Sequence, residues 1–238
     1  MKIIPRGNYL IQLTQTFPLL GDWFPVNAYL IREEDGFTLL DTGFTHNAKP
    51  IFEAARSLGA PIRRIALTHA HNDHVASLDE LHRLLPQAEV LIGEREARIL
   101  AGDRSLLPGE TGKPNGMACQ TRPTRLLRQG DRVGSLEVIA APGHSVGQMA
   151  FFDPRDGSLI AGDAFQIQGG VAVSGTLKLG FPFPAWATWD KETALCTGQR
   201  LRALEPARLA VGHGNTLEHP LAAMDRAIAE AERTLARR

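Results

Sequence analysis

Seven consecutive residues constrain this chain more than anything else in it: Thr68-His69-Ala70-His71-Asn72-Asp73-His74. Three imidazoles and a carboxylate fall directly after the apolar run 62–67, which reads as a β-strand. A solvated polar turn gains nothing from three histidines that serine or asparagine would not supply. Neutral imidazole and carboxylate are, however, the standard ligands of a divalent metal. His69 and His71 lie two apart on an extended segment, so they point the same way and can share one ion. Asp73 and His74 point onward and can serve a second. Any fold for this chain must therefore end a strand at residue 67 and bring further ligands to that end.

The same residue types recur at other predicted strand ends. Of eight histidines, His144 sits in Ala141-Pro142-Gly143-His144-Ser145 after a strand over 135–140, and His213 in Val211-Gly212-His213-Gly214 after a strand over 208–211. Asp163 closes Leu159-Ile160-Ala161-Gly162-Asp163, and Asp41 closes Leu39-Leu40-Asp41-Thr42-Gly43. Glycine beside a ligand lets backbone approach a crowded site, and strand-end loops are where an α/β scaffold collects functional groups. His46, His82 and His219 fall outside these motifs and read as surface or capping residues. Ser145 reads as structural, Cys196 as a small buried hydrophobe, and the Arg237-Arg238 pair as a solvated end.

Periodicity places further strands at 8–15, 26–32, 37–41, 89–92, 124–128, 148–152 and 158–162, and helices at 47–58, 76–85, 94–101, 189–204 and 219–236. Two Gly/Pro-broken stretches, 17–25 and 165–188, read as loops despite their apolar side chains. The glycine-rich stretch 102–123 reads as the join between two pseudo-repeated halves of a single domain spanning 1–238. At 43% hydrophobic residues the chain can bury a sizeable core. Its 26 basic and 26 acidic residues cancel, which argues against nucleic acid or a membrane surface as partner. Two cysteines exclude a disulfide framework. With no long apolar span and no leader-like start, a cytoplasmic protein is expected.

The His-x-His-x-Asp-His run at 69–74, followed in order by His144, Asp163 and His213 and preceded by Leu-Asp-Thr-Gly at 40–43, resembles the metallo-β-lactamase-fold superfamily. The resemblance covers Val26 to Gly214. It implies a four-layer αββα sandwich, two β-sheets flanked by helices, with metals at one edge. It also implies a ligand set: His69, His71 and His144 for a first ion, and Asp73, His74 and His213 for a second, with Asp163 bridging both. Asp41 would accept a hydrogen bond from a ligand imidazole. The cofactors would be two divalent ions, Zn2+ first and Mn2+ or Fe2+ as alternatives.

The activity implied is that of a metal-dependent hydrolase. A metal-bound hydroxide attacks the carbonyl of a small ester, lactone or thioester, and Asp73 orients it and shuttles its proton. Trp23, Phe24, Phe181 and Phe183, on the two apolar loops, would wall the substrate or form a homodimer contact, and Lys178 would meet a carboxylate. Quorum-signal lactonases of the superfamily carry a Tyr three residues after the bridging Asp, where this chain has Gln166. Glyoxalase II-type thioesterases share the ligand set. Single-iron persulfide dioxygenases, which need only the first ion's ligands, represent a different class of chemistry.

Overall fold

Strands that are apolar at every position have no face to give to water. In the computed structural model, which describes residues 1–17 and 19–237, the central strands are buried on both sides. Pro18 and Arg238, assigned above to a loop and to a solvated end, lie outside the described residues. The first sheet has seven strands in sequence order: β1 (Lys2–Arg6), β2 (Leu10–Phe17), β3 (Gly21–Glu33), β4 (Gly36–Leu40), β5 (Ile62–Leu67), β6 (Glu89–Gly93) and β7 (Arg125–Leu127). It is antiparallel from β1 to β4 and parallel from β4 to β7. Four helices punctuate it: α1 (Ala48–Ser57), α2 (Asn72–Val75), α3 (Leu78–Leu84) and α4 (Glu94–Leu100).

The chain then builds β8 (Arg132–Val133), β9 (Leu136–Ala140), β10 (Met149–Asp153) and β11 (Ser158–Ile160). A two-stranded ribbon follows, β12 (Phe165–Gln166) with β13 (Ala172–Val173), then α5 (Phe183–Ala187) and α6 (Lys191–Arg202). The last elements are β14 (Arg208–Ala210), β15 (Leu217–Glu218) and α7 (Leu221–Leu235). The second sheet runs β15-β14-β11-β10-β9-β8. The changeover between sheets falls after Leu127, so β7 stays with the first sheet although it follows the 102–123 stretch.

Period-two alternation divides the side chains among three cores. Leu30, Leu39, Ile65 and Leu67 pack outward against Ile51 of α1 and Leu78 and Leu81 of α3. Their neighbours Tyr29, Ile31, Leu40 and Ala66 face inward and meet Val138, Phe151 and Ile160 of the second sheet. Leu159 and Leu209 on the second sheet's outer face pack against Leu201 of α6 and Met224 and Ala227 of α7. The result is the four-layer αββα sandwich that the resemblance implies.

Several elements differ from the periodicity reading. Most of 17–25 is not a loop: β2 and β3 run on as a hairpin whose turn is at Leu19-Leu20. The stretch 165–188 contains the β12–β13 ribbon and α5. The helix predicted over 76–85 is the shorter α3, and a separate one-turn helix, α2, precedes it inside the histidine run. The strands β1, β8 and β15 were not predicted; they are short or exposed edge strands with no apolar run to signal them. Cys196 is exposed, because it falls beside the buried Ala194–Thr197–Leu201 stripe of α6 instead of on it.

One buried phenol joins the two sheets at the metal-ligand edge. The Tyr29 hydroxyl donates to the Val211 carbonyl (2.7 Å) and accepts from the Val211 N–H (3.0 Å), two residues before His213. Tyr29→Phe removes both of these bonds, leaving the Val211 carbonyl only its bond from the Asn27 amide, and is expected to cost about 1–3 kcal/mol. The shift in urea midpoint measures this; an unchanged midpoint would show that the contact does not tie the sheets together.

Candidate metal centre

Each ligand-type residue stands just beyond the end of a strand, and the two sheets bring those ends to one edge. β5 delivers Thr68 to His74, β9 leads to His144, β11 to Asp163 and β14 to His213. The side chains converge in three overlapping groups: His69, His71 and His144; His69, His74 and Asp163; and Asp73, His74 and His213. The two ligand triplets that the resemblance implies are the first and last of these. Asp163 lies between them, with Oδ2 3.4 Å from His144 Nε2 and 3.1 Å from His213 Nε2, and Oδ1 3.5 Å from His74 Nε2. Gly212 lies against this point; a Cβ there would run into Asp163 Oδ1 and His74, which is why the residue before His213 has no side chain.

These residues fit a metal. His69 Nε2, His74 Nε2 and Asp163 Oδ1 are buried and have no hydrogen-bond partner, a state that costs about 1–3 kcal/mol per atom if nothing binds there. The N···O separations also suit ligation. Two ligands about 2.0–2.1 Å from a tetrahedral ion sit roughly 3.3–3.4 Å apart, whereas a charge-assisted hydrogen bond would be shorter.

The opposite ring nitrogens of His69, His74 and His213 each face an acceptor, which sets the tautomer of the neutral ring so that its inward nitrogen keeps its lone pair. His74 Nδ1 bonds to Asp41 Oδ2 at 2.8 Å. His69 Nδ1 bonds to the Thr68 hydroxyl at 2.9 Å, and that hydroxyl donates to the same Asp41 oxygen at 2.8 Å. Asp41 therefore orients two ligands, one directly and one through Thr68. Its other oxygen accepts from the Thr68 N–H at 2.8 Å. His213 Nδ1 donates to the Pro25 carbonyl (2.8 Å), and His144 Nδ1 meets the Ser174 hydroxyl (2.8 Å).

The titration behaviour follows from this arrangement. Burial holds His69 and His71 below the ordinary imidazole range and pushes His144 down to about 3. Burial also opposes charge on His74 and His213, but Asp163 and Asp73, joined at His74 by Asp41, outweigh it and raise both. Burial likewise works against the Asp163 carboxylate, yet the His213 and His74 charges beside it hold it well below its usual value.

Two loops of this centre share a clamp absent from the sequence reading. Glu96 of α4 is fully buried, accepting from the Ala70 N–H (2.8 Å), the Gly147 N–H (2.9 Å) and the Ser145 hydroxyl. It thus joins the His69–His71 segment to the His144 turn and accounts for Ser145. A signal existed: Glu96 shares a helix face with the buried Ile99 and Leu100. Asn27 also went unpredicted; its amide donates to the Val211 and Gly214 carbonyls and fixes the turn that carries His213.

A cavity of about 530 Å³ opens over His71, Asp73, His144, Asp163 and His213. Its apolar wall is Phe17, Leu20, Phe24, Phe44, Phe183 and Trp186. Of the expected substrate contacts, Phe24 and Phe183 line it, with ring centroids 4.7 Å apart. Phe181 is buried behind them, against Phe24 and His213. Trp23 buttresses Phe183 and donates its indole N–H to the Gly180 carbonyl. Lys178 does not reach the cavity: Glu230 of α7 holds its ammonium at 2.6 Å. Gln166 spans the second loop, donating to the Gln168 and Phe181 carbonyls. His46 and His219 are exposed in the left-handed region, and His82 lies on α3, all outside the centre.

Two outcomes are expected. Asp41→Asn removes the acceptor that fixes both tautomers and should weaken metal binding about 10–100-fold, read by competition with a chromophoric chelator; undiminished affinity would deny Asp41 this role. Metal uptake by chelator-treated protein should also release protons at mildly acidic pH. His74 and His213 are held protonated above their usual range and must give up the Nε2 proton to ligate. The release should shrink as pH rises through their raised values, and pH-stat titration measures it.

The sequence matches the profile of the metallo-beta-lactamase superfamily over residues 21–213, a segment that contains all seven converging residues. Uncharacterized protein YobT of Bacillus subtilis (strain 168) is 48% identical over 221 residues, covering 91% of this chain and 94% of that protein. A hydroxyacylglutathione hydrolase of Fuscovulum blasticum is 30% identical over 215 residues, covering 82% of this chain and 72% of that one. The crystal structure of TTHA1623 in a di-iron-bound form has a TM-score of 0.64 at 26% identity, covering 89% of this chain and 96% of that one. With the four-layer sandwich and the ligand cluster at its edge, these matches establish that the chain belongs to the metallo-beta-lactamase superfamily, whose members are generally hydrolytic metalloenzymes.

Proposed function

We propose that this protein is a dinuclear metal-dependent hydrolase acting on a small ester, lactone or thioester with an apolar portion. The observation that carries the reading is the cavity itself, which has polar ligand groups on its floor and an aromatic wall beside them. His69, His71 and His144 would hold one ion and Asp73, His74 and His213 the other, with Asp163 between them. Bound divalent ions supply Lewis acidity and nucleophilic water at neutral pH.

The chain's own groups provide the rest. Phe24, Phe44 and Phe183 take the apolar portion of the substrate and keep water from it. Asp73 lies on the cavity floor with its side chain 21% exposed and 3.4 Å from His213 Nε2. Its carboxylate is placed to take the proton that the attacking water loses and to return it to the leaving oxygen or sulfur. Neither of two described nucleophilic side chains, Ser145 and Cys119, competes for the role. Ser145 is bonded to Glu96, and Cys119 is buried, its thiol pushed up to about 11 by desolvation. The relative named hydroxyacylglutathione hydrolase keeps thioesters in the substrate panel.

The test combines metal content with activity. Protein purified without added metal or chelator is expected to carry about two ions per chain by elemental analysis and to hydrolyse members of an ester, lactone and thioester panel. His71→Ala should lose that activity and bound metal while its circular dichroism stays native-like. One iron per chain, with oxygen uptake on persulfides, would replace the hydrolase reading; full activity in His71→Ala would refute the site.

A further inference from the structure

A second cavity, of about 290 Å³, adjoins the first at His71 and His144. It shares Asn115, Trp186 and Ala187 with the first, so the two are continuous across the ligand histidines. Its character differs: Lys113, Ser145, Thr188 and Trp189 complete the wall. Among the described residues lining either cavity, Lys113 is the only lysine or arginine. It has no acidic partner among them, whereas Lys178, the cation expected from the sequence, is held by Glu230.

The backbone that carries Lys113 is tethered on both sides. The Trp189 indole N–H donates to the Thr111 carbonyl, and the Met117 N–H donates to the Ala70 carbonyl at 2.7 Å. The second bond ties the segment to the residue between His69 and His71. The first ties it to the residue whose own N–H donates to the His144 carbonyl at 2.9 Å. The backbone on either side of Lys113 is thus tied to both ligand loops and keeps this exposed side chain at the cavity, although it belongs to a stretch without helix or strand.

We propose that Lys113, with Asn115 beside it, is the subsite for a carboxylate at the end of the substrate opposite its apolar portion. This rests on the hydrolase reading for the bond that is cleaved. The substrate class it names is an amphipathic carboxylic-acid ester, lactone or thioester: aromatic or aliphatic at the Phe24–Phe183 end, monoanionic at the Lys113 end, with the scissile carbonyl between. A single ammonium and an amide match one carboxylate; the planar fork or backbone nest that usually cradles a phosphate is not part of this wall.

The experiment uses the full-length protein as purified, with 6-phenylhexanoate and 6-phenylhexanol as probes and quenching of tryptophan fluorescence as the readout, since Trp186 and Trp189 line the cavity. Wild type should prefer the acid. Lys113→Met should weaken the acid about fivefold, the scale of one partly exposed ion pair, leave the alcohol unchanged, and be rescued by Lys113→Arg. With matched 4-nitrophenyl esters of adipic and hexanoic acids, Lys113→Met should raise KM for the adipate monoester alone, with kcat unchanged. Equal weakening of acid and alcohol, or no preference in wild type, overturns the subsite. If neither ester is cleaved, the hydrolase reading fails, while the binding comparison still decides the role of Lys113.

Discussion

The centre is organised around the Asp41 carboxylate. Through one oxygen it holds His74 directly and His69 through the Thr68 hydroxyl; through the other it holds the Thr68 backbone. It does this from a left-handed backbone position, φ 60°, just past the end of β4. A non-glycine residue there carries strain of about 1–3 kcal/mol, and the surrounding hydrogen bonds keep it in place. Without this buried acceptor, the two imidazoles could present either nitrogen to the floor of the cavity. The lone pairs that a metal needs would then be present only part of the time.

Around that point the sandwich works as a clamp with two jaws. The first sheet carries the histidine run, and the second carries His144, Asp163 and His213. The jaws are fastened by polar contacts at the ligand edge. Tyr29 and Asn27 of β3 reach across to Val211 and Gly214, and Pro25 accepts from His213 itself. Glu96 binds the His69–His71 segment to the His144 turn. Apolar packing between the sheets is non-directional and fixes their separation; these hydrogen bonds fix the register of one ligand set against the other. The same edge organises the substrate space. Phe24 and Phe181 pack on His213, so the aromatic wall is built against a ligand.

Much of this was legible in the sequence, for reasons that can be named. The run at 69–74 concentrates ligand chemistry beyond what a turn needs. His144, Asp163 and His213 stand at the ends of apolar stretches that read clearly as strands. Asp41 ends a strand in the same way. The partners were harder. Thr68 and Glu96 look like any hydroxyl and any helical carboxylate until the fold shows which donors they meet. Lys178 and Lys113 show the limit most clearly: two lysines in irregular loops are equivalent in sequence. In the fold, α7 brings Glu230 to the first, while the ties from Ala70 and Trp189 bring the second to the histidines.

The sequence by itself determined the residue chemistry and the strand ends that carry it, because these depend on local spacing and on which side chains avoid water; the layers of the sandwich followed only from the family resemblance of its motifs. Only the tertiary structure decided the tautomers, the clamp between the ligand loops, the hairpin nature of 17–25 and which apolar residues line the cavity. Each of these is a pairing between residues far apart in the chain, set by how two sheets close on one another. No local pattern records that closure.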